Sequence, residues 1–192
     1  QIRLMEKLKN HHGEDSVRVF RPADVNETTV CWAMAMENMD TPTALILSRQ
    51  NIKNLTTGTN YEQARKGAYI VAGSDEQFDA ILLASGSEVS TLEAGAKLLR
   101  KDGIRLRIVS VPSEGLFRNQ SKEYQESILP KGSKIFGLTA GLPVTLEGLV
   151  GSNGSVFGMN SFGFSAPYKV LDEQLGFTPQ NVYKQVKSLL AE

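Results

Sequence analysis

One arginine, Arg49, stands where the apolar run TALIL gives way to the polar run SRQN (43–51). Such an apolar run is typical of a strand buried in a parallel sheet, and open α/β sheets bind ligands at the carboxyl ends of their strands. A guanidinium offers a planar set of donors that suits a phosphate or a carboxylate. Arg49 is therefore either an anion-binding residue or a solvated strand end, and the residues alone leave both interpretations open.

The segment ASGSE (84–88) is a second candidate for anion binding. It lies between a predicted strand and a predicted helix, where backbone N–H groups and the helix dipole attract anions. However, it lacks the full glycine pattern of nucleotide-binding loops, and no lysine follows it. We favour a tight strand-to-helix connection with Ser87 as the N-cap, and keep a small-anion site as the alternative.

Histidine and cysteine residues carry weaker signals. His11 and His12 are neighbours in HHGED, and because neighbouring side chains of a helix or strand point apart, a solvated loop is favoured over a metal site. Cys31 is the only cysteine, which excludes a disulfide framework and a cysteine-based metal cage. In its predicted helix it is best interpreted as a small buried hydrophobe. We expect no metal site in this chain.

Composition limits the partners. The chain has 192 residues, with 21 Lys and Arg against 21 Asp and Glu, so no net field attracts nucleic acid or an acidic membrane. No apolar stretch approaches the roughly 20 residues of a membrane-spanning helix. Residues 1–10 contain neither an initiator Met nor the apolar region of a secretory signal. We expect part of a longer, cytoplasmic protein.

The elements around Arg49 are predicted to run helix, strand, helix, strand. A short amphipathic helix is predicted at 2–9, and strands at 17–20 and 43–48. Asp24, followed by Glu27, forms a capping-box pattern that should begin the second helix. The apolar face of that helix should consist of Val25, Thr29, Trp32, Ala33 and Met36.

The chain is expected to divide into three parts. Residues 1–52 form a partial α/β unit that is too small to stand alone. Residues 53–66 lack periodicity and are rich in Asn, Thr and charge, which indicates a linker. Residues 67–192 alternate strands and helices, which predicts a three-layer α/β/α domain with a mostly parallel sheet.

The strands of the larger domain are predicted at 68–72, 80–84, 104–111, 134–140 and 155–160, with a turn containing Gly73, Ser74 and Asp75 after the first. The first long helix should have the apolar stripe Val89, Leu92, Ala96 and Leu99 and stop at Gly103. Further helices are predicted after Ser121, weakly over 142–151, from Ser165 to Leu175, and after Thr178, with Pro179 in its first position.

The sequence resembles the transketolase family across essentially the whole chain. RPADVNETTVCWAMAMENMDTPTALILSRQNI is similar to the end of that family's pyrimidine-binding domain, with its RPAD, PTAL and LSRQ elements. GAYIV, LLASGSEVS, VSVPSEGLF, EYQESILP, SFGFSAP and LGFTPQNV then follow in the order of the family's carboxy-terminal domain. Several such motifs together make the resemblance specific.

The resemblance implies an activity that the residues alone do not reveal. Transketolases depend on thiamine diphosphate and Mg²⁺ and move a two-carbon ketol unit from a ketose phosphate to an aldose phosphate, in the pentose phosphate pathway. They have three α/β domains and act as homodimers with active sites at the subunit interface. The arginine of LSRQ helps to bind the sugar phosphate, so the resemblance gives Arg49 that role.

The resemblance also implies what this chain lacks. The family's metal and diphosphate motif, the glutamate that activates the cofactor and the sugar-binding histidines and aspartate have no counterpart here. We therefore expect no catalytic, cofactor-binding or metal-binding residue in the chain, and no activity without the upstream domains. Thr139 and the aliphatic run 142–150 replace a glutamate and an aromatic-rich helix of many members.

Two other interpretations stay open. The chain could be the tail of another thiamine-diphosphate enzyme, such as a deoxyxylulose-phosphate synthase or a 2-oxo-acid dehydrogenase subunit, although LSRQN and SFGFSAP argue against this. Alternatively, residues 67–192 could be a regulatory module with a small-anion site at SGSE (85–88).

Overall fold

The computed structural model describes residues 1–73 and 77–191, which contain a two-stranded and a five-stranded sheet. Ser74 and Asp75, for which the sequence predicts a turn, lie outside the described residues. The fold is of the α/β class with a mostly parallel larger sheet, as predicted.

The N-terminal unit has the predicted order of helix, strand, helix and strand. Its elements are α1 (Ile2–Met5), β1 (Arg18–Phe20), α2 (Val25–Glu37) and β2 (Thr43–Leu45). The two strands pair in parallel, with Val19 opposite Ala44. Helix α1 is shorter than predicted.

Helix α2 begins where its capping pattern predicts, because the Asp24 side chain accepts a hydrogen bond from the Glu27 backbone N–H at 2.8 Å. The five residues predicted to share one face do so, but that face is exposed. Val25, Trp32 and Met36 are 60%, 57% and 69% exposed. The buried face consists of Glu27, Val30, Cys31 and Met34.

Glu27 lies on the buried face, although a helical pattern assigns a carboxylate to the solvent side. Its side chain is 0% exposed and accepts hydrogen bonds from Tyr69 and Ser110 of the larger sheet, which supply the partners that a buried carboxylate needs.

Residues 53–66, predicted to be a linker, contain the short helix α3 (Tyr61–Ala64) and pack against α2. The Leu55 side chain is 4% exposed. Its backbone N–H donates to Asp24 Oδ2 at 3.1 Å, and Thr59 Oγ1 donates to Asp24 Oδ1 at 3.1 Å. The segment is therefore attached to the N-terminal unit through Leu55 and Thr59, and Thr56 and Thr57 bond to Glu93 and Val71 of the larger domain. The limits of the three parts stay a prediction.

The larger sheet is built from β3 (Tyr69–Ala72), β4 (Ala80–Ala84), β5 (Leu106–Ser110), β6 (Ile135–Leu138) and β7 (Ser155–Phe157). The strand order is β3-β5-β4-β6-β7, and β3 alone among these strands runs antiparallel to its neighbour. Each strand lies within or close to its predicted range.

Helices cover both faces of this sheet. They are α4 (Glu88–Lys101), α5 (Glu114–Arg118), α6 (Lys122–Ile128), α7 (Val144–Val150), α8 (Tyr168–Leu175) and α9 (Pro179–Ala191). Helix α5 was not predicted. The predicted stripe of α4, formed by Val89, Leu92, Ala96 and Leu99, is fully buried. Gly103 follows α4 with a φ of +80°, a conformation that favours glycine.

Successive side chains of β4 face opposite sides of the sheet. Leu82 belongs to a cluster with α4, α9 and the N-terminal unit, whereas Ile81 and Leu83 belong to a cluster with α7. The N-terminal unit thus shares one hydrophobic core with the larger sheet. Among the described residues, no helix has the length and apolar character needed to cross a membrane.

Candidate functional site

The main cleft of the described structure has a volume of about 690 Å³ and lies beside Arg49. One wall is formed by 46–54, the segment that leaves β2. Helices α4 and α8 form the opposite walls. The cleft therefore lies between the N-terminal unit and the larger domain.

Arg49 stands four residues beyond the end of β2, and its side chain is exposed at the cleft. None of the ion pairs among the described residues involves it. A solvated guanidinium without a carboxylate partner retains its donors for a ligand. The geometry is compatible with an anion-binding residue.

The charge around the cleft is mixed. Lys53 lines it next to Arg49, on the cationic side, while Lys97 lies on the α4 wall. Asp172 of α8 lies on the acidic side of the cleft. Burial, and to a smaller extent the charge of Glu88, raises the pKa of its carboxyl group. An anion is therefore attracted to the part of the cleft next to Arg49 and Lys53 rather than to its α8 wall.

The turn 85–88 is filled by Arg21, which follows β1. The Arg21 guanidinium forms an ion pair with Glu88 and donates to the Ser85 carbonyl oxygen. It lies so close to Gly86 that a Cβ there would be 2.5 Å from Arg21 Nη1. The turn thus holds an ion pair, which favours the tight connection over a small-anion site.

Ser87 is the residue before α4, but its side chain caps no backbone N–H group. The predicted N-cap hydrogen bond is therefore wrong. The reason is that Ser87 already has helical backbone angles, with φ −57° and ψ −25°, whereas an N-cap residue is normally extended. Ser121, by contrast, caps α6 as predicted, since its Oγ accepts from the Tyr124 N–H at 3.2 Å.

Four charged residues contact the carboxyl edge of the larger sheet in ways that no sequence pattern predicted, namely Arg3, Glu6, Arg21 and Glu27. The RPAD motif contains Arg21, but nothing in the motif indicates an ion pair with Glu88. Arg3 and Glu6 lie on a short helix whose pattern indicates only an amphipathic surface. Their partners are more than 80 residues away in sequence, so no local signal identifies them.

Glu6 is a buried carboxyl group, with 5% exposure. It accepts hydrogen bonds from Val19 N at 2.8 Å, Ser113 Oγ at 3.2 Å and Gly115 N at 3.2 Å. Burial raises the pKa of Glu6 to about 7, against the opposing effect of these hydrogen bonds. It joins α1 to β1 and to the start of α5.

His11, His12 and Cys31 do not form a site. The two histidines lie in an exposed loop, as predicted. Cys31 is 2% exposed, and burial raises the pKa of its thiol, which confirms the interpretation as a buried hydrophobe. Within 1–73 and 77–191, no three His, Cys, Asp or Glu side chains converge as metal ligands do.

The sequence matches the family described as Transketolase-like TK C-terminal domain over residues 67–178. A transketolase of Staphylococcus epidermidis is 43% identical over 188 residues, which are 96% of this chain and 28% of that protein. The chain thus spans little more than a quarter of the length of the curated relatives that it matches.

The solved structures that this chain resembles are also transketolases. The transketolase of Leishmania mexicana has a TM-score of 0.85 and 35% identity, covering 92% of this chain and 26% of that one. A Pichia stipitis transketolase in complex with sedoheptulose-7-phosphate has a TM-score of 0.83 and 35% identity, covering 94% of this chain and 26% of that one.

Proposed function

The chain belongs to the transketolase family, and from this premise we propose that it is the C-terminal part of an enzyme that transfers a two-carbon ketol unit from a ketose phosphate to an aldose phosphate. In this proposal the chain supplies Arg49 as a substrate-phosphate ligand. It also supplies a domain that supports the fold and a homodimer.

The observation that carries the role of Arg49 is its unpaired guanidinium at the mouth of a 690 Å³ cleft, beyond the end of a parallel strand. A guanidinium can bind a phosphate through two parallel hydrogen bonds, which fixes both the position and the orientation of the sugar. The Pichia stipitis relative has been solved with a ketose phosphate, which supports this ligand class for the family.

Arg49 would act at a distance from the reacting carbonyl. Holding the phosphate end restricts the rotation and translation of the substrate, and oriented binding of this kind lowers the barrier of the chemical step. Arg49 is therefore proposed as a binding residue, and no residue of this chain is proposed to exchange protons with the substrate.

The described residues offer no acidic cluster for the Mg²⁺ that accompanies thiamine diphosphate in the family. Mg²⁺ prefers carboxylate, carbonyl and water oxygens, and no three His, Cys, Asp or Glu side chains within 1–73 and 77–191 converge as metal ligands. We assign the cofactor and the metal to upstream domains, on the same polypeptide or on a partner chain, and no step of the reaction to this chain.

The isolated 192-residue chain should therefore be inactive. The experiment is a ketol-transfer assay with xylulose 5-phosphate, ribose 5-phosphate, thiamine diphosphate and Mg²⁺. Product formation above the rate without protein would contradict the proposal, because it would require a complete cofactor site in this chain.

The role of Arg49 is tested in the full-length enzyme. Arg49→Ala removes a hydrogen bond between charged groups, which contributes about 1.5–3 kcal/mol, so KM for phosphorylated donors should rise roughly 10- to 150-fold. An unphosphorylated donor such as hydroxypyruvate should retain its KM.

Lys97→Ala is the matched control, since Lys97 lines the same cleft on the opposite α4 wall and carries the same charge. It should change KM much less than Arg49→Ala. An equal loss for phosphorylated and unphosphorylated donors would mean that Arg49 does not bind the phosphate.

A further inference from the structure

The larger sheet has a ligand-binding position that the proposed function does not use. The chain passes from β4 to β5 on one side and from β6 to β7 on the other. The carboxyl ends of β4 and β6 therefore flank the point where the strand order reverses, which is where open α/β sheets bind soluble ligands. Ser85 follows β4 and Thr139 follows β6.

The side chain of Arg3 from α1 occupies this crevice. Its Nη1 donates to Ser85 Oγ at 3.1 Å, and its Nη2 donates to Thr139 Oγ1 at 2.6 Å and to Thr145 Oγ1 at 3.1 Å. The three hydroxyl groups come from two regions that are distant in sequence, Ser85 after β4 and the Thr139–Thr145 pair between β6 and α7. A single guanidinium therefore joins the ends of β4 and β6 to the start of α7.

The three residues that receive Arg3 are almost inaccessible, with exposures of 2% for Ser85, 0% for Thr139 and 5% for Thr145. Thr145 Oγ1 also donates to the Leu142 carbonyl oxygen at 2.8 Å. Because its only hydrogen is used there, the Thr145 oxygen can only accept from the crevice side. The crevice thus presents an acceptor that requires a donor.

The shape of the crevice also suits a flat cation. A Cβ at Gly141 would lie 3.1 Å from Arg3 Nη2, so the glycine leaves the space that the guanidinium fills. Burial, followed by the charge of Arg21, lowers the pKa of Arg3, while the carboxylates of Glu114, Glu88 and Glu6 oppose this. A guanidinium is planar and weakly hydrated, so it enters such a site at lower cost than an ammonium ion does.

We propose that the crevice formed by Ser85, Thr139 and Thr145 is a guanidinium-binding site, which Arg3 fills and which holds the N-terminal unit against the larger sheet. Its ligand class is an alkylguanidinium, supplied here by the chain itself. Because Arg3 and the Arg21–Glu88 pair fill this edge of the sheet, free anions do not bind there. This inference is independent of the role of Arg49.

The test is chemical complementation in the 192-residue chain. The Arg3→Ala variant should bind ethylguanidinium saturably at millimolar concentration, measured by calorimetry, and its thermal midpoint should rise as the site fills. Ethylammonium at the same concentration should do neither, and the unchanged chain should not bind ethylguanidinium. Equal binding by both proteins, or equal effects of both cations, would overturn the proposal.

The acceptors are tested in the same variant. Adding Thr139→Val to Arg3→Ala removes a hydroxyl at nearly constant volume and should reduce ethylguanidinium affinity at least tenfold. Thr29→Val is the matched control, because the Thr29 side chain is exposed on α2 and should leave the affinity unchanged. Retention of full affinity after Thr139→Val would overturn the assignment.

A second measurement covers the case in which Arg3→Ala does not fold. In the chain with Arg3 intact, Thr139→Val should lower the thermal midpoint clearly more than Thr139→Ser, which retains the acceptor oxygen. Equal midpoints for the two variants would show that the Arg3–Thr139 hydrogen bond does not hold the unit, and would overturn the proposal.

Discussion

The carboxylate of Glu27 on α2 accepts a hydrogen bond of 2.6 Å from the hydroxyl of Ser110 at the end of β5, across 83 residues of sequence. Glu27 also accepts from Tyr69 Oη at 2.8 Å and from Ala23 N at 2.6 Å. Burial raises the pKa of Glu27, and these hydrogen bonds oppose the rise. The N-terminal unit is therefore joined to the larger sheet by a buried polar network as well as by apolar contacts.

Removing a donor from this network should destabilise the whole chain. Ser110→Ala or Tyr69→Phe leaves a buried carboxylate oxygen without one of its partners, which costs about 1–3 kcal/mol in the free energy of unfolding. Equilibrium denaturation in urea measures this. Thr29→Ala, at an exposed hydroxyl, is the control, and a loss at Ser110 no larger than in that control would contradict the prediction.

Glu6 should make stability depend on pH around neutrality. Its pKa is about 7 in the folded chain and about 4.5 in the unfolded chain, so the folded state binds more protons between these values. The stabilisation is complete below pH 4.5 and is lost as pH rises through 7. The loss is on the order of 3 kcal/mol.

The Glu6→Gln variant should therefore show a flatter dependence of the unfolding free energy between pH 5 and pH 8, measured by urea denaturation. The test compares the slopes of the pH curves and not the absolute stability of the variant, because an amide cannot accept all three hydrogen bonds of the carboxylate. Parallel pH curves for the variant and the unchanged chain would show that Glu6 is not responsible. The pKa of Glu27 is also raised by burial. Because Glu27 is present in both proteins, its contribution cancels when their pH curves are compared.

Alanine substitution of two serines that precede helices should change the unfolding free energy by different amounts. Ser121 caps α6 through the Tyr124 N–H, so Ser121→Ala should cost about 1 kcal/mol. Ser87 caps nothing, so Ser87→Ala should change the unfolding free energy by less than about 0.5 kcal/mol. Thermal and urea unfolding of the pair measures the difference, and equal losses would mean that Ser87 does cap α4.

The packing of α4 on α9 depends on Gly95. A Cβ at Gly95 would lie 2.5 Å from Val182 Cγ1, and Val182 is 1% exposed. Alanine has the better helix propensity by about 1 kcal/mol, but overpacking costs about 1–3 kcal/mol, so Gly95→Ala should be destabilising. In a Val182→Ala background the same substitution should be less destabilising, because Cγ1 is removed while the Cβ of residue 182, at 2.7 Å, remains. A double-mutant cycle of unfolding free energies measures the coupling, and identical effects in both backgrounds would contradict the contact.

Local patterns were sufficient for most elements. The capping pattern of Asp24, the apolar stripe from Val89 to Leu99 and the stop at Gly103 depend on residues close together in sequence, and the structure confirms them. The alternation of strands and helices gave the mostly parallel sheet for the same reason. The LSRQ motif identified Arg49 as a candidate, and its position at a cleft agrees with that role, which stays a prediction.

The sequence by itself thus determined the fold class, the family and the order of most elements, although the short helices α3 and α5 were not predicted. Only the tertiary structure decided which side chains meet at the carboxyl edge of the larger sheet. Arg3 and Arg21 donate hydrogen bonds to, and Glu6 and Glu27 accept them from, partners that include residues 64 to 136 positions away, although a pattern assigns these charges to solvent. The face of α2 that carries Trp32 lies outside. Burial of a charge depends on its partners, and distant partners are known only from the fold.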